Sequence, residues 1–170
     1  TLPGAVQPIQ TETVLGYIRM VMRRTYLFYY FLILTFNWWL GTIIGARSMG
    51  KRPGLTRIAD FKLPDRYLWP LIASLALVVL NLRVPIEPLD ILAWNALLII
   101  AFLYGIAGIG IIRFLLRKLN VRPRVRWLLI IAIVILAMIP RIGIAVLILI
   151  PGLGVSEVWL KYRREERSNA

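Results

Sequence analysis

Two stretches of this sequence are long, apolar and free of charge: Tyr26–Ala46, with 21 residues, and Ile91–Ile112, with 22. At 1.5 Å per residue an α-helix of either length covers about 31–33 Å, roughly the hydrocarbon thickness of a bilayer. The rest of the chain points the same way. Hydrophobic residues make up 59% and the mean hydropathy is +0.76, against roughly 45–50% apolar content in soluble domains. A water-soluble core could not hide that much apolar surface.

Charge is distributed as unevenly as apolarity. The chain carries 21 Lys and Arg against 8 Asp and Glu, and the basic residues sit in short clusters between apolar runs. That pattern belongs to cytoplasmic loops facing anionic headgroups, not to a nucleic-acid surface. Arg113, Arg117, Lys118, Arg122, Arg124 and Arg126 form the densest cluster, read as a headgroup-facing loop. It lacks the interleaved aromatic residues of a single-strand binder. Basic residues are dense in 47–66 and 113–126 and sparse in 83–90. The first two loops are therefore expected on the cytoplasmic side and the third outside, an orientation that leaves the Arg23–Arg24 pair on the wrong side.

The chain contains no Cys and no His, which removes disulfides, thiolate nucleophiles, imidazole bases and the usual zinc, copper and haem ligands. No cofactor and no metal are expected. The eight acids all lie near segment ends, so no proton relay or general acid–base pair is evident, and the chain is read as a non-enzyme. Position 1 is Thr, and residues 1–10 lack a basic n-region followed by an apolar h-region; a fragment or a processed product is expected.

The fold expected is all-α: a polytopic transmembrane helix bundle of four to five membrane segments plus an N-terminal amphipathic helix. Residues 1–25 form the amphipathic, interfacial segment, or the end of an earlier span. The transmembrane domain is 26–160, with spans near 26–46, 67–82, 91–112, 127–139 and 142–158, and 161–170 is a basic cytoplasmic tail. Leu63-Pro64-Asp65 suits a helix start, where free N–H groups and a positive dipole end favour Pro and Asp. The apolar stretch Trp127–Ile150 is interrupted by Pro140-Arg141. One kinked helix would leave Arg141 deep in the bilayer, at about 2.5 kcal/mol or more on insertion scales. A hairpin turning at Pro140-Arg141 avoids that cost and puts the tail inside, and it is the preferred threading.

Three constellations stand out. Gly41-Thr42-Ile43-Ile44-Gly45 is a GxxxG pattern in an apolar helix, where missing side chains let a second helix approach, within the chain or from a partner. Ala101, Gly105 and Gly108 make a second small-residue face at helical spacing. Asn37, Asn95 and Arg141 are polar groups at or near hydrocarbon depth that need partners there. They are read first as interhelical hydrogen bonds and an interfacial arginine, and second as a candidate ligand site.

Phe61-Lys62-Leu63-Pro64-Asp65 leading through Tyr67-Leu68-Trp69-Pro70 into a span, Asn95 opening a span that reaches Tyr104-Gly105-Ile106-Ala107, and Gly154 followed by Trp159-Leu160-Lys161-Tyr162-Arg163 together form a recognisable set. From Phe61 to Arg164 the chain resembles the C-terminal half of the YybS-like family of predicted bacterial membrane proteins. That family's usual Asp-x-Trp-x-Asp-x-Arg ending is altered here, with Ser156 or Glu157 and Lys161 near the acid positions. The family has no assigned activity and is distantly similar to the substrate-binding subunits of vitamin and metal uptake transporters.

The expectation is an integral subunit of the bacterial cytoplasmic (inner) membrane that works through helix packing, with a membrane-protein partner or a second copy of itself, anionic phospholipid headgroups and no nucleic acid. The alternative is a transport or solute-binding module whose pocket lies between spans near Asn37, Asn95 and Arg141.

Overall fold

The computed structural model describes residues 8–50, 61–84, 86–160 and 162. Regular structure among them is helical: α1 (Pro8–Ser48), α2 (Leu68–Asn81), α3 (Glu87–Lys118), α4 (Pro123–Met138) and α5 (Pro140–Leu160), with a short 3₁₀ turn at Asp65–Tyr67 leading into α2. α1, α3 and α5 are long and apolar enough to cross a membrane. The apolar segments expected near 67–82 and 127–139 also form helices. With 14 and 16 residues they reach only about 21 and 24 Å, short of a hydrocarbon core. Residues 8–24, expected as a separate interfacial segment, are continuous with the span that follows, in one helix of 41 residues. Nothing between Thr11 and Ser48 breaks the backbone ladder.

Proline and acid placement set the boundaries. α3 opens with Glu87, Pro88 and Asp90 in its first turn and closes with Arg117 and Lys118 in its last, which complements the helix dipole at both ends. It terminates in a Schellman motif: Asn120 adopts φ 51°, its N–H donates to the Arg117 carbonyl, and the Val121 N–H donates to Leu116. α4 ends where Ile139, immediately before Pro140, is forced into an extended conformation. The chain is therefore broken at the position where the hairpin was expected, and Trp127–Ile150 is not one helix.

α3 is the hub. α1 runs parallel to it: Arg24 meets Asp90, the Phe28 N–H donates to Asn95 Oδ1 at 3.0 Å, and the rings of Phe28 and Phe31 stand edge-on to Phe102. The 66-residue offset between Arg24 and Asp90 carries Thr25 to Ile91, Ala46 to Ile112 and Arg47 to Arg113. The two uncharged stretches thus begin and end at common levels, about 33 Å apart. α2 runs back along α3, placing Tyr67 and Leu71 against a cluster of Leu63, Ile100 and Tyr104. α5 is also antiparallel to α3, with Ile150 at Gly108 and Gly154 at Tyr104, and this is the most extensive helix pair in the bundle.

The α3–α5 register bears on the expected threading. Carried ten residues back from Ile150, it brings Pro140 and Arg141 to about the level of Arg117 and Lys118. By that register α4 finishes at the end of the bundle where α3 closes. Arg141 shares that end with the basic cluster instead of sitting across the bilayer from it, and α5 runs back toward the opposite end. The turn is tight: a Cβ on Gly143 would overlap the Ala137 carbonyl. Residues 51–60 and the tail, apart from Tyr162, lie outside the described residues.

Candidate functional site

Of the two glycine faces, one is a seam within the chain. A Cβ on Gly108 would lie 3.0 Å from the Ile150 carbonyl carbon and nearer still to its oxygen, and a Cβ on Gly154 would lie 2.9 Å from the Tyr104 carbonyl carbon and 3.1 Å from Gly108 N. Here two backbones touch, as small residues in membrane helices permit. Gly105 faces the Pro151 ring at an ordinary 3.8 Å, and Ala101 is half-buried on the same helix. Gly154 was not foreseen as a packing residue. Its signal was a small residue one turn from a helical proline.

Gly41 and Gly45 behave differently, since a Cβ on either would meet nothing within 4 Å. The expected contact of this face within the chain is not made among the described residues: α3 packs on the side of α1 that carries Arg24, Phe28 and Phe31. Gly41 is exposed and Gly45 half-buried, and neither has a neighbour against its Cβ among the described residues. Asn37, one turn before Gly41, is exposed on the same helix, with no hydrogen bond among the described residues. It lies about midway along the uncharged stretch from Thr25 to Ala46.

Asn95 is almost fully buried, at 1% exposure. Its oxygen accepts from the Phe28 N–H and its Nδ2 donates to the Ile91 carbonyl at 2.8 Å, so it joins α1 to α3. Arg141 is exposed in the first turn of α5. By the helix registers Asn95 and Arg141 are separated by about 30 Å along the bundle, and Asn37 faces outward. The structure does not gather Asn37, Asn95 and Arg141 into one pocket. In the basic cluster, Arg113 is half-buried, Arg117 Cζ lies 5.8 Å from the Phe114 ring centroid, and Lys118, Arg122 and Arg124 are exposed. The side chain of Arg126 lies outside the described set.

The residues brought together most completely are ones the sequence reading left unassigned. At the end of the bundle opposite the basic loops, Arg23 pairs with Glu87 and Arg24 Nε contacts Asp90 Oδ2 at 2.6 Å. Asn81 donates to Asp90 Oδ1 at 2.7 Å and accepts from the Ile86 N–H at 2.8 Å. The Arg24 guanidinium also lies 5.5 Å from the Trp94 ring centroid. This explains the Arg23–Arg24 pair on the charge-poor side: its charge is matched by two acids at the same level. The clue lay in Glu87 and Asp90 flanking a turn on that side. Beside the pairs is a cleft of about 200 Å³ lined by Gly16, Arg19, Met20, Arg23, Arg24, Glu87, Asp90 and Ile91.

Two further polar groups sit inside the bundle. Glu157, expected near a segment end, is buried at 4% exposure one turn beyond Gly154, and Tyr104 Oη is buried without a hydrogen-bond partner among the described residues. Ser156 Oγ donates to the Leu153 carbonyl and lies 3.2 Å from Tyr162 Oη.

No curated protein and no solved structure matches the chain. A family described as "Predicted membrane protein (DUF2232)" matches residues 4–152, in agreement with a helical bundle that has three helices able to cross a bilayer, and the chain belongs to that family of membrane proteins of unknown function.

Proposed function

We propose that this protein is a non-enzymatic integral membrane subunit, resident in the bacterial cytoplasmic membrane, that works by receiving another transmembrane helix on the outer face of α1. The observation carrying this reading is Asn37. It is exposed about midway along the uncharged stretch of α1, with an exposed Gly41 and a half-buried Gly45 following at one and two turns and nothing within 4 Å of either Cβ. In hydrocarbon an unpaired amide is costly, and a helix that supplies a hydrogen bond while packing closely against two glycines answers both features at once. A solute pocket at Asn37, Asn95 and Arg141 has no support from their placement.

The chain is free of cysteine, so a single Trp38→Cys gives a clean cross-linking probe on the exposed face. Oxidation in native membranes is expected to trap one adduct, of a partner or of a second copy. Adding Asn37→Leu and Gly41→Leu is expected to cut its yield about tenfold. An adduct yield unchanged by both substitutions, or no adduct at all, sinks the proposal.

A further inference from the structure

The cleft beside the Arg23–Glu87 and Arg24–Asp90 pairs has a location, a charge and a shape that together define a ligand. Its location follows from the common level of Thr25 and Ile91, where the uncharged stretches of α1 and α3 begin. Arg24 and Arg19 lie about 1.5 and 9 Å beyond that level, a span that covers the headgroup layer of about 5–7.5 Å on one side of a bilayer and reaches its water-facing edge. The cleft therefore opens among lipid headgroups, in the leaflet opposite the basic loops.

Three guanidinium groups line it and two carboxylates answer two of them. Glu87 and Asp90 are engaged by Arg23 and Arg24, while Arg19 has no ion pair among the described residues and lines the same wall. One positive charge is left over. At about 200 Å³ the space is smaller than pockets that enclose drug-sized solutes. It is enough for one small anionic group. The floor is open because Gly16 has no side chain, and a Cβ there would meet nothing within 4 Å. Ile91 provides the apolar residue on the bilayer side, where an acyl chain attached to that group would run, while Met20 lies between Arg19 and Arg23.

We infer that this cleft is a phospholipid site in which Arg19, with Arg23 beside it, holds the phosphodiester of a lipid in the leaflet opposite the basic loops, the acyl chains descending past Ile91. The phosphate takes charge-assisted hydrogen bonds from guanidinium donors, the geometry arginine suits best. The lipid then fills the notch between α1 and the first turn of α3, next to the ion pairs that hold those helices together.

The test is native mass spectrometry of the full chain in detergent, titrated separately with phosphatidylglycerol, a neutral diacylglycerol and inorganic phosphate. The expected result is one phosphatidylglycerol retained per chain, bound at least tenfold more weakly in Arg19→Gln and in Gly16→Leu but unchanged in Arg124→Gln at the other end. Arg19 is solvent-facing and Gly16 stands in open space, so neither change threatens the fold. Equal retention of diacylglycerol, or undiminished binding in both cleft variants, overturns the site. Displacement of the lipid by inorganic phosphate at comparable concentration overturns the lipid assignment in favour of a soluble anion.

Discussion

Replacing Gly108 with alanine tests the α3–α5 seam more sharply than any larger substitution. The added Cβ would sit 3.0 Å from the Ile150 carbonyl carbon and 3.2 Å from its Cγ2, where ordinary contact begins near 3.4 Å. The nearest atoms belong to backbone and cannot rotate away, so the helices must part by about half an ångström, and further to clear the carbonyl oxygen. Overpacking of this kind costs about 1–3 kcal/mol. Gly105→Ala is the internal control. It brings the same gain in helix propensity, about 0.5–1 kcal/mol, but its Cβ meets only the Pro151 ring at 3.8 Å. The propensity gain cancels between the two variants, leaving Gly108→Ala less stable than Gly105→Ala by about 1–3 kcal/mol, roughly a tenfold to hundredfold change in the unfolding constant. Reversible unfolding in mixed micelles with rising dodecyl sulfate, followed by tryptophan fluorescence, measures that gap. Gly154→Ala is expected to match Gly108→Ala, and the double variant to cost less than the sum, because helices already parted admit the second methyl more easily. If the alanine variants at 105, 108 and 154 unfold together, the close backbone approach is wrong.

Asn95→Leu removes the bond to the Phe28 N–H and is expected to lower stability by about 0.6 kcal/mol, the average for such bonds in membranes; a loss above 3 kcal/mol in the same titration would show that Asn95 does more than tie α1 to α3. Arg24→Ala leaves Asp90, whose side chain is only 15% exposed, with Asn81 but no cation against it, at an expected cost of about 1–3 kcal/mol, and Arg24→Ala combined with Asp90→Ala is expected to recover part of it. Single cysteines at Ser48, Lys118 and Arg141 are expected to react with an impermeant maleimide from one side of the membrane and a cysteine at Arg83 from the other; labelling of Arg141→Cys from the side of Arg83 would restore the transbilayer hairpin. Arg141→Gln is expected to shift the unfolding midpoint by no more than about 0.5 kcal/mol, as at other exposed sites.

What the sequence disclosed and what it withheld follow from the range of the forces involved. Spans such as Ile91–Ile112 are legible because helix length and the absence of charge are local properties, and the break at Pro140 because proline constrains the residue before it. The small-residue face at Gly105 and Gly108 was legible as a face, but its partner was not: which helix Gly108 touches depends on a register between residues 42 apart in sequence. Gly41 and Gly45 show the complementary limit, since the same pattern can face a neighbour or the lipid and the local sequence is the same in both cases. The charged cluster was missed for a related reason. Arg24 and Asp90 read as an orientation conflict and a loop acid until α1 and α3 are laid side by side.

The bonds between α1 and α3 join residues 64 to 67 apart in sequence, and that separation imposes an order on biosynthesis. At about 5–20 residues per second, α1 enters the bilayer roughly 3–13 seconds before its parallel partner has been made. Through that interval it must persist as a solitary helix, with Arg23 and Arg24 held at the membrane surface by headgroups until Glu87 and Asp90 arrive. The α2–α3 hairpin needs no such wait, because Asn81 meets Asp90 across only nine residues. Assembly is thus expected to proceed from the hairpin outward, with α1 recruited to a formed edge of α3 and α5 closing the glycine seam last.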